Sequence, residues 1–398
     1  MSGRGRRASP VPWLAVVMGS LYVAIGGVMA VLLPAQVERI DAAGKVAALG
    51  LITSVSFAVT IVAQPVIGAA SDRTRSRGGG RGAWMLGSAV IGAIAVTLMG
   101  WTGSILALCV AWVIAQFALN GVDITASTTV VDEFPRGRRG RPSGALAASI
   151  AVRTGVGAVI GGVLSGAPTV GFAVLALVAL AGAIVFVLGR RGRSGPVTSS
   201  DPPIPGAAHP ADFWWILAAR FSFTLGQQAV STYLLYILSD HIGVDPASAP
   251  LYVSALTAVG LVGLLVAAAF SGWWSDRVGR RRILLVAASA LSATALVLPI
   301  FAPSVPTMVV YALLQGAALG MHLAVAGALL SEVLPAGDRR AGRDLGVANT
   351  VINVAQAIAP LAAGGVVILS GGYDLVFGCA IVAVLASAFL SWRVRGVR

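Results

Sequence analysis

The sequence predicts an all-α integral membrane fold, in which twelve transmembrane helices form two six-helix bundles related by an internal repeat. Three observations carry that prediction. Charged residues make up 11% of the 398-residue chain and hydrophobic residues 57%. A water-soluble surface takes roughly a quarter charged residues, so this chain cannot coat one. The apolar residues fall in runs of about 20, the length that crosses ~30 Å of hydrocarbon at ~1.5 Å per residue. The two halves of the chain also share motifs in register. These features exclude a soluble enzyme of any fold. They exclude outer-membrane strands too, which would alternate polar and apolar residues.

In chain order, the expected spans are 12–33, 47–70, 83–101, 104–130, 144–165 and 168–188, then 213–238, 250–274, 283–302, 305–331, 345–369 and 373–392. The first follows Arg4, Arg6 and Arg7 as a signal peptide would. Its apolar run is too long for a typical signal h-region and no A-x-A site closes it, so it reads as a permanent helix. Between the sixth and seventh spans, GRRGRSGPVTSSDPPIPGAAHPA has five prolines and almost no apolar content. It reads as a flexible linker over 189–211, dividing an N-terminal bundle (1–188) from a C-terminal bundle (212–398). Cys109 and Cys379 fall inside spans and read as small core residues, not as a disulfide framework.

The net charge of +13 could suggest nucleic acid, but its distribution points to the bilayer. Of 28 basic residues, 24 lie in the two chain ends and in the loops that alternate onto one side, among them Arg73–Arg81, Arg136–Arg141, Arg277–Arg282 and Arg339–Arg343. Only Arg39 and Lys45 fall on the opposite side. Short loops rich in Arg and Lys stay cytoplasmic, so both termini are expected inside a cell inner (cytoplasmic) membrane. The basic residues set topology and meet anionic lipid. No nucleic-acid partner is expected.

The internal repeat has two components. Gly68-Ala-Ala-Ser71-Asp72-Arg73 and Gly272-Trp-Trp-Ser275-Asp276-Arg277 both read G-x-x-S-D-R at the end of a helix, 204 residues apart. A second offset, of 199, pairs Gln116 with Gln315, Gly121 with Gly320, Asp123 with His322 and Glu133 with Glu332. Agreement at several positions indicates a duplicated six-helix unit.

Six-plus-six helices, a polar central loop and the paired G-x-x-S-D-R motifs resemble the major facilitator superfamily over nearly the whole chain. The resemblance implies a secondary transporter. It also implies that Asp72, Arg73, Asp276 and Arg277, with Gly68, Ser71, Gly272 and Ser275, form gate motifs on the cytoplasmic side. A narrower likeness joins SDRTRSR and Gly78–Arg81, together with Asp123-Ile124, to the glycoside–pentoside–hexuronide and sucrose-type symporters. That family's loop ends in a G-R-R-P-like run, where this chain has GGGRGAW. Gly157-Ala-Val-Ile-Gly161-Gly162 is similar to the antiporter motif of drug exporters, which expects Pro at position 158 and Gly at position 153.

Four ionisable residues lie deep in the spans: Asp123, Arg153, Arg220 and His322. Each stands about eight to ten residues from a helix end, or ~12–15 Å at ~1.5 Å per residue, so they share one layer near the midplane. Such residues are costly in lipid, and they mark cavities or partners. Carriers built from repeats bind substrate in that layer. Asp123 and Arg153 sit on adjacent spans at matched depth, where an ion pair is geometrically cheap. Their alternatives are proton or substrate handling and a static salt bridge. Arg220 has the alternatives of snorkelling, binding an anionic group or reaching Asp123, while His322 is either a titrating cavity residue or hydrogen-bonded packing. Amide and phenol side chains complete the candidates for a substrate cavity. They are Gln116 and Asn120 in the fourth span, Gln227, Gln228, Tyr233 and Tyr236 in the seventh, Gln315 in the tenth, and Asn349, Asn353 and Gln356 along one face of the eleventh.

A Walker A sequence needs Gly-Lys-Ser/Thr, and the chain's single lysine, Lys45, precedes Val46. No metal-ligating cluster is spelled out either. The expectation is therefore a monomer, neither an enzyme nor a binder of cofactor or metal, that moves a small-molecule substrate across the lipid bilayer by alternating access, coupled to protons. Sugar-like symport and proton-driven efflux of a drug or metabolite are the competing directions. A sensor or partner-binding membrane protein is the alternative outside transport.

Overall fold

A computed structural model describes residues 11–76, 81–133, 140–189, 210–278, 280–333 and 341–394. These are helical apart from short turns, and no strand occurs among them. In lipid every backbone polar group must be satisfied within its own segment, and long apolar runs do this as helices. The first span is α1 (Val11–Gly27) and α2 (Leu33–Ile40), joined through one π turn at Val28–Leu32. α3 (Lys45–Ser76), α4 (Arg81–Met99), α5 (Ile105–Glu133), α6 (Gly140–Val163) and α7 (Pro168–Gly189) complete the first half. The seventh span is α8 (Pro210–Ser231), the short α9 (Leu234–Tyr236) and a π turn at Ile237–His241. α10 (Ala249–Val278), α11 (Arg281–Phe301), α12 (Val305–Val333), α13 (Ala341–Ser370) and α14 (Asp374–Trp392) follow.

Ten of these segments are long and apolar enough to cross a membrane. α6 contributes the shorter apolar stretch Val152–Val163, and the 22-residue α8 falls where the sequence places the seventh span. α8 carries Asp212, Arg220, Gln227 and Gln228 among its apolar residues, the first sign that its polar face has work inside the protein. Large hydrophobics such as Leu106, Val266 and Leu369 are exposed along the helices, as a lipid-facing surface requires. All but the edges of the 189–211 linker lies outside the described residues, as do the side chains of Ser71, Asp72, Arg73 and Asp276.

Backbone packing separates two compact units. The first comprises Met1–Val28, Val62–Gly157 and Ala167–Pro202. Within it α1 packs on α7, and α4 packs on both α5 and α7. Its α1–α6 crossing depends on Gly157, because a Cβ there would run into the Val23 carbonyl and stand 2.8 Å from the Gly27 nitrogen. Small residues of this kind let membrane helices approach backbone to backbone.

The second unit comprises Met29–Ile61, Ala158–Gly166 and Pro203–Arg398, so it includes parts of the first, second and fifth spans. α10 packs along α12, α11 packs on α12 and α14, and α8 lies against α13 and α14. Gly316 permits the α10–α12 crossing, since a Cβ there would stand 2.7 Å from the Gly260 Cα. Phe213, Ile216, Leu217, Leu284, Leu285, Val325 and Leu329 form one core cluster that fixes α8 against α11 and α12.

Of the three helical spans that belong to both units, the first has a π turn near the division, and the other two stay α-helical there while carrying a proline or glycines. The first has the π turn at Val28–Leu32 and α3 has Pro65 inside it. α6 has Gly157 and Gly162. Proline removes an i→i−4 hydrogen bond, here the one to Ile61, which is the last residue assigned to the second unit before Val62.

Candidate functional site

In the first unit α5 carries Asp123 half-buried, and α1 brings Tyr22 to it. The Tyr22 hydroxyl donates to Asp123 Oδ1 at 3.3 Å. The ion pair between Asp123 and Arg153 does not form. Arg153 instead lies over Gly19 of α1, where a Cβ would stand 3.1 Å from its Nε, and its Nη1 is buried without a hydrogen-bond partner. The physical reason is that α1 presents Gly19 and Tyr22 one turn apart: the tyrosine takes the carboxylate and the glycine makes room for the guanidinium. Sequence spacing showed that the fourth and fifth spans match in depth, but it carried no information about what stands beside them. Tyr22 was the missed residue, and its signal was a phenol in an otherwise apolar first span. Gln116 is buried with Oε1 unpartnered, and Asn120 donates from Nδ2 to the Gln116 carbonyl at 2.8 Å.

In the second unit α8 aligns Arg220, Phe223 and Gln227 on one face, at i, i+3 and i+7. α12 faces them with His322 and Gln315, again seven residues apart. The His322 and Phe223 rings stack, with centroids 3.9 Å apart and planes within 2° of parallel. His322 and Phe223 are 4% and 1% exposed, and His322 Nδ1 has no hydrogen-bond partner. Arg220 is half-buried, one turn of α8 before the Phe223 ring that stacks on His322. Among the described residues no carboxylate pairs with Arg220. One helical turn further along, the Ser292 hydroxyl donates to Gln315 Oε1 at 3.0 Å, and Gln315 Nε2 donates to Gln227 Oε1 at 2.7 Å. That chain orients Gln227 and leaves its Nε2 buried and unpartnered. Phe223 and Ser292 had no distinguishing signal in the sequence, since phenylalanine and serine are common in membrane helices.

Three other predicted cavity residues, Tyr233, Tyr236 and Gln228, make hydrogen bonds within the protein. Tyr233 and Tyr236 are fully buried. The Tyr233 hydroxyl donates to the Pro360 carbonyl at 2.7 Å and lies 3.2 Å from the Val46 carbonyl, and Tyr236 donates to the Pro34 carbonyl at 2.9 Å. Gln228 Nε2 donates to Thr232 Oγ1 within its own helix. On α13, Asn349 is exposed, Gln356 is half-buried, and Asn353 is half-buried with Nδ2 unpartnered. Of the G-x-x-S-D-R residues, Gly68 and Gly272 meet nothing a Cβ would touch, Ser275 is buried, and Arg277 lies over the Trp273 ring at 4.7 Å.

Near the Tyr233 end of the second unit stands a charged network. Lys45 Nζ reaches Glu38 Oε1 and Asp240 Oδ1, both at 2.7 Å. Tyr373 donates to Asp240 Oδ2 at 3.3 Å. Burial, reinforced by the charge on Asp240, raises the Tyr373 pKa above the usual phenol range and keeps the hydroxyl a donor.

A family model described as Major Facilitator Superfamily matches residues 13–271 and again 216–398. Among characterised proteins, the chain is 29% identical to the niacin transporter NiaP of Acinetobacter baylyi over 126 residues, 31% of this chain and 27% of that one. It is 31% identical to myo-inositol transporter 3C of Cryptococcus neoformans over 135 residues, 34% and 22% of the two chains. Over 80 residues it is 39% identical to a gallate transporter of Pseudomonas putida, 20% and 18% of the two. The chain thus spans about a quarter of the length of these curated relatives. In fold it is similar to a bacterial homologue of the human lysosomal transporter Spinster, solved inward-facing and occupied. The TM-score is 0.70 at 16% identity, over 98% of this chain and 97% of the other. The match is to the superfamily as a whole and does not single out its sugar-transporting branch. The chain is a multi-pass membrane protein by the length and composition of its helices, and it belongs to the Major Facilitator Superfamily.

Proposed function

We propose that this protein is a secondary active transporter that moves a small polar organic solute by alternating access, coupled to protons through Asp123. The observation that carries the reading is the environment of Asp123: a half-buried carboxylate on a membrane helix, hydrogen-bonded by the neutral Tyr22 hydroxyl and not neutralised by Arg153. Such a carboxylate changes protonation as water access changes, because no fixed cation holds its charge. The substrates named for the relatives, niacin, gallate and myo-inositol, are each a single six-membered ring bearing polar groups, which supports a solute of that size. The arginine-rich ends and loops support cytoplasmic termini, and that orientation turns the Lys45–Asp240 network outward.

The test is transport in proteoliposomes. An imposed pH gradient should drive accumulation by the wild type, and Asp123→Asn should abolish it while sparing substrate counterflow. Accumulation that survives Asp123→Asn excludes this residue as the coupling site. The likeness of Gly157–Gly162 to the antiporter motif supports efflux as the second direction. Inverting the pH gradient distinguishes uptake from efflux.

A further inference from the structure

The second unit holds a row of polar groups that lacks a counterpart. Along one face of α8 and the facing side of α12 stand Arg220, the Phe223–His322 stack and the Gln227–Gln315 pair. The row contains a cation with no carboxylate partner among the described residues. It also contains two buried nitrogens without hydrogen bonds, His322 Nδ1 and Gln227 Nε2. Neither is adrift. The imidazole plane is fixed by its stack on Phe223, and the Gln227 amide by the relay from Ser292 through Gln315. Buried polar atoms without partners cost about 1–3 kcal/mol each. Positioned but unsatisfied groups are what a binding site looks like when its ligand is absent. Gln227 Nε2 and the Arg220 guanidinium are donors by their chemistry, and the neutral His322 ring donates from one of its two nitrogens in either tautomer, so an acceptor with negative charge is the partner that suits the row. A guanidinium is matched best by a carboxylate.

The row also has a length. Arg220 and Gln227 are seven residues apart, ~10 Å along a helix at ~1.5 Å per residue. That spacing is on the scale of one ring with polar groups at opposite ends. We propose that the α8–α12 row is the solute site and that it selects a small carboxylic acid, with the carboxylate at Arg220 and His322 and a second polar group of the solute at Gln227. This inference rests on the transport reading above and narrows it to an organic anion. Arg220 and His322 set the acid end, and Gln227, held by Gln315 and Ser292, sets the far end.

Binding to purified full-length protein in dodecyl maltoside tests this without any gradient, using calorimetry with three probes. 4-Hydroxybenzoate carries both groups, 4-hydroxybenzamide lacks the charge, and benzoate lacks the far hydroxyl. The wild type should bind 4-hydroxybenzoate at least about tenfold more tightly than the amide and several-fold more tightly than benzoate. Arg220→Gln should erase the preference for acid over amide, while Arg220→Lys retains most of it. Gln227→Leu should erase only the preference for 4-hydroxybenzoate over benzoate. Equal binding of acid and amide to the wild type overturns the proposal, as does an acid preference that persists in Arg220→Gln or the absence of binding by either acid at millimolar concentration. If Arg220→Gln does not fold, the wild-type ratio of acid to amide still decides. The transport reading fails separately: acids that bind with these preferences but are not accumulated under any pH gradient leave the site standing and remove the proton coupling.

Discussion

Two polar regions of the second unit have similar composition and opposite bookkeeping. Near Lys45 the polar groups are matched. Tyr233 and Tyr236 donate to proline carbonyls, the Leu361 N–H donates to Ser54 Oγ at 3.1 Å, and Lys45 bridges two carboxylates. Along α8 and α12 the groups are buried or half-buried, yet Gln227 Nε2 and His322 Nδ1 have no hydrogen bond and, among the described residues, Arg220 has no carboxylate. Both regions began as the same kind of sequence signal, a polar residue inside an apolar span. A residue type states only that a partner is needed. Whether the chain supplies that partner separates a structural tie from a candidate binding group.

Removing a matched tie should give the largest stability effect. Tyr233→Phe deletes the donor to the Pro360 carbonyl, which lies in the interior of α13 where no water replaces it. Gly50 and Gly364 both make room for that hydroxyl, and a Cβ on either would stand 2.5 Å from it, so the ring cannot slide to a new partner. A loss of about 0.5–1.5 kcal/mol is expected, the usual net worth of a hydrogen bond, since the Pro360 carbonyl keeps its place in the α13 backbone ladder. It should appear as a clear drop in the melting temperature of detergent-solubilised protein. A Tyr233→Phe variant as stable as wild type would break the comparison at its firm end.

Lys45→Gln should cost less, about 0.2–1 kcal/mol. The Asp240 side chain is 37% exposed, so solvent screens its pairing with Lys45. Melting curves at low and high salt check the prediction, because the difference between wild type and variant should shrink as salt rises. An effect that is large and independent of salt would mean that Lys45 acts through its packing over the Tyr236 ring, 4.8 Å away, more than through its charge.

Much of the fold was legible before any coordinates. Span lengths and the duplicated motif gave the twelve helices and the family, because hydropathy and repeats are properties of composition along the chain. α8 illustrates how far that reading reaches. Its polar residues weakened its membrane signal, and they turned out to line the row that faces α12. What could not be read was pairing across helices. Asp123 and Arg153 matched in depth, yet Gly19 and Tyr22 of α1 redirected both. Tyr233 and Tyr236 looked like ligand groups until Pro360 and Pro34 appeared beside them. Rotation of a helix about its axis decides such pairings, and nearly uniform apolar spans encode it weakly.

The smallest stability effect is expected at Asn353, and it probes the comparison from its unsatisfied side. Its Nδ2 is buried without a partner, on the helix that packs along α8. Replacing a polar group that already lacks a hydrogen bond by an apolar one of similar size removes a desolvation cost and little else. Asn353→Leu should therefore leave the melting temperature unchanged or slightly raised, within about 0.5 kcal/mol. If the amide serves a solute, the same variant should weaken binding or transport while its stability holds. If Asn353→Leu instead destabilises the protein as much as Tyr233→Phe, the amide is a tie between helices, and lacking a partner in the structure no longer marks a group as reserved for a ligand. Loss of transport at full stability would place α13 beside the α8–α12 row in the same function.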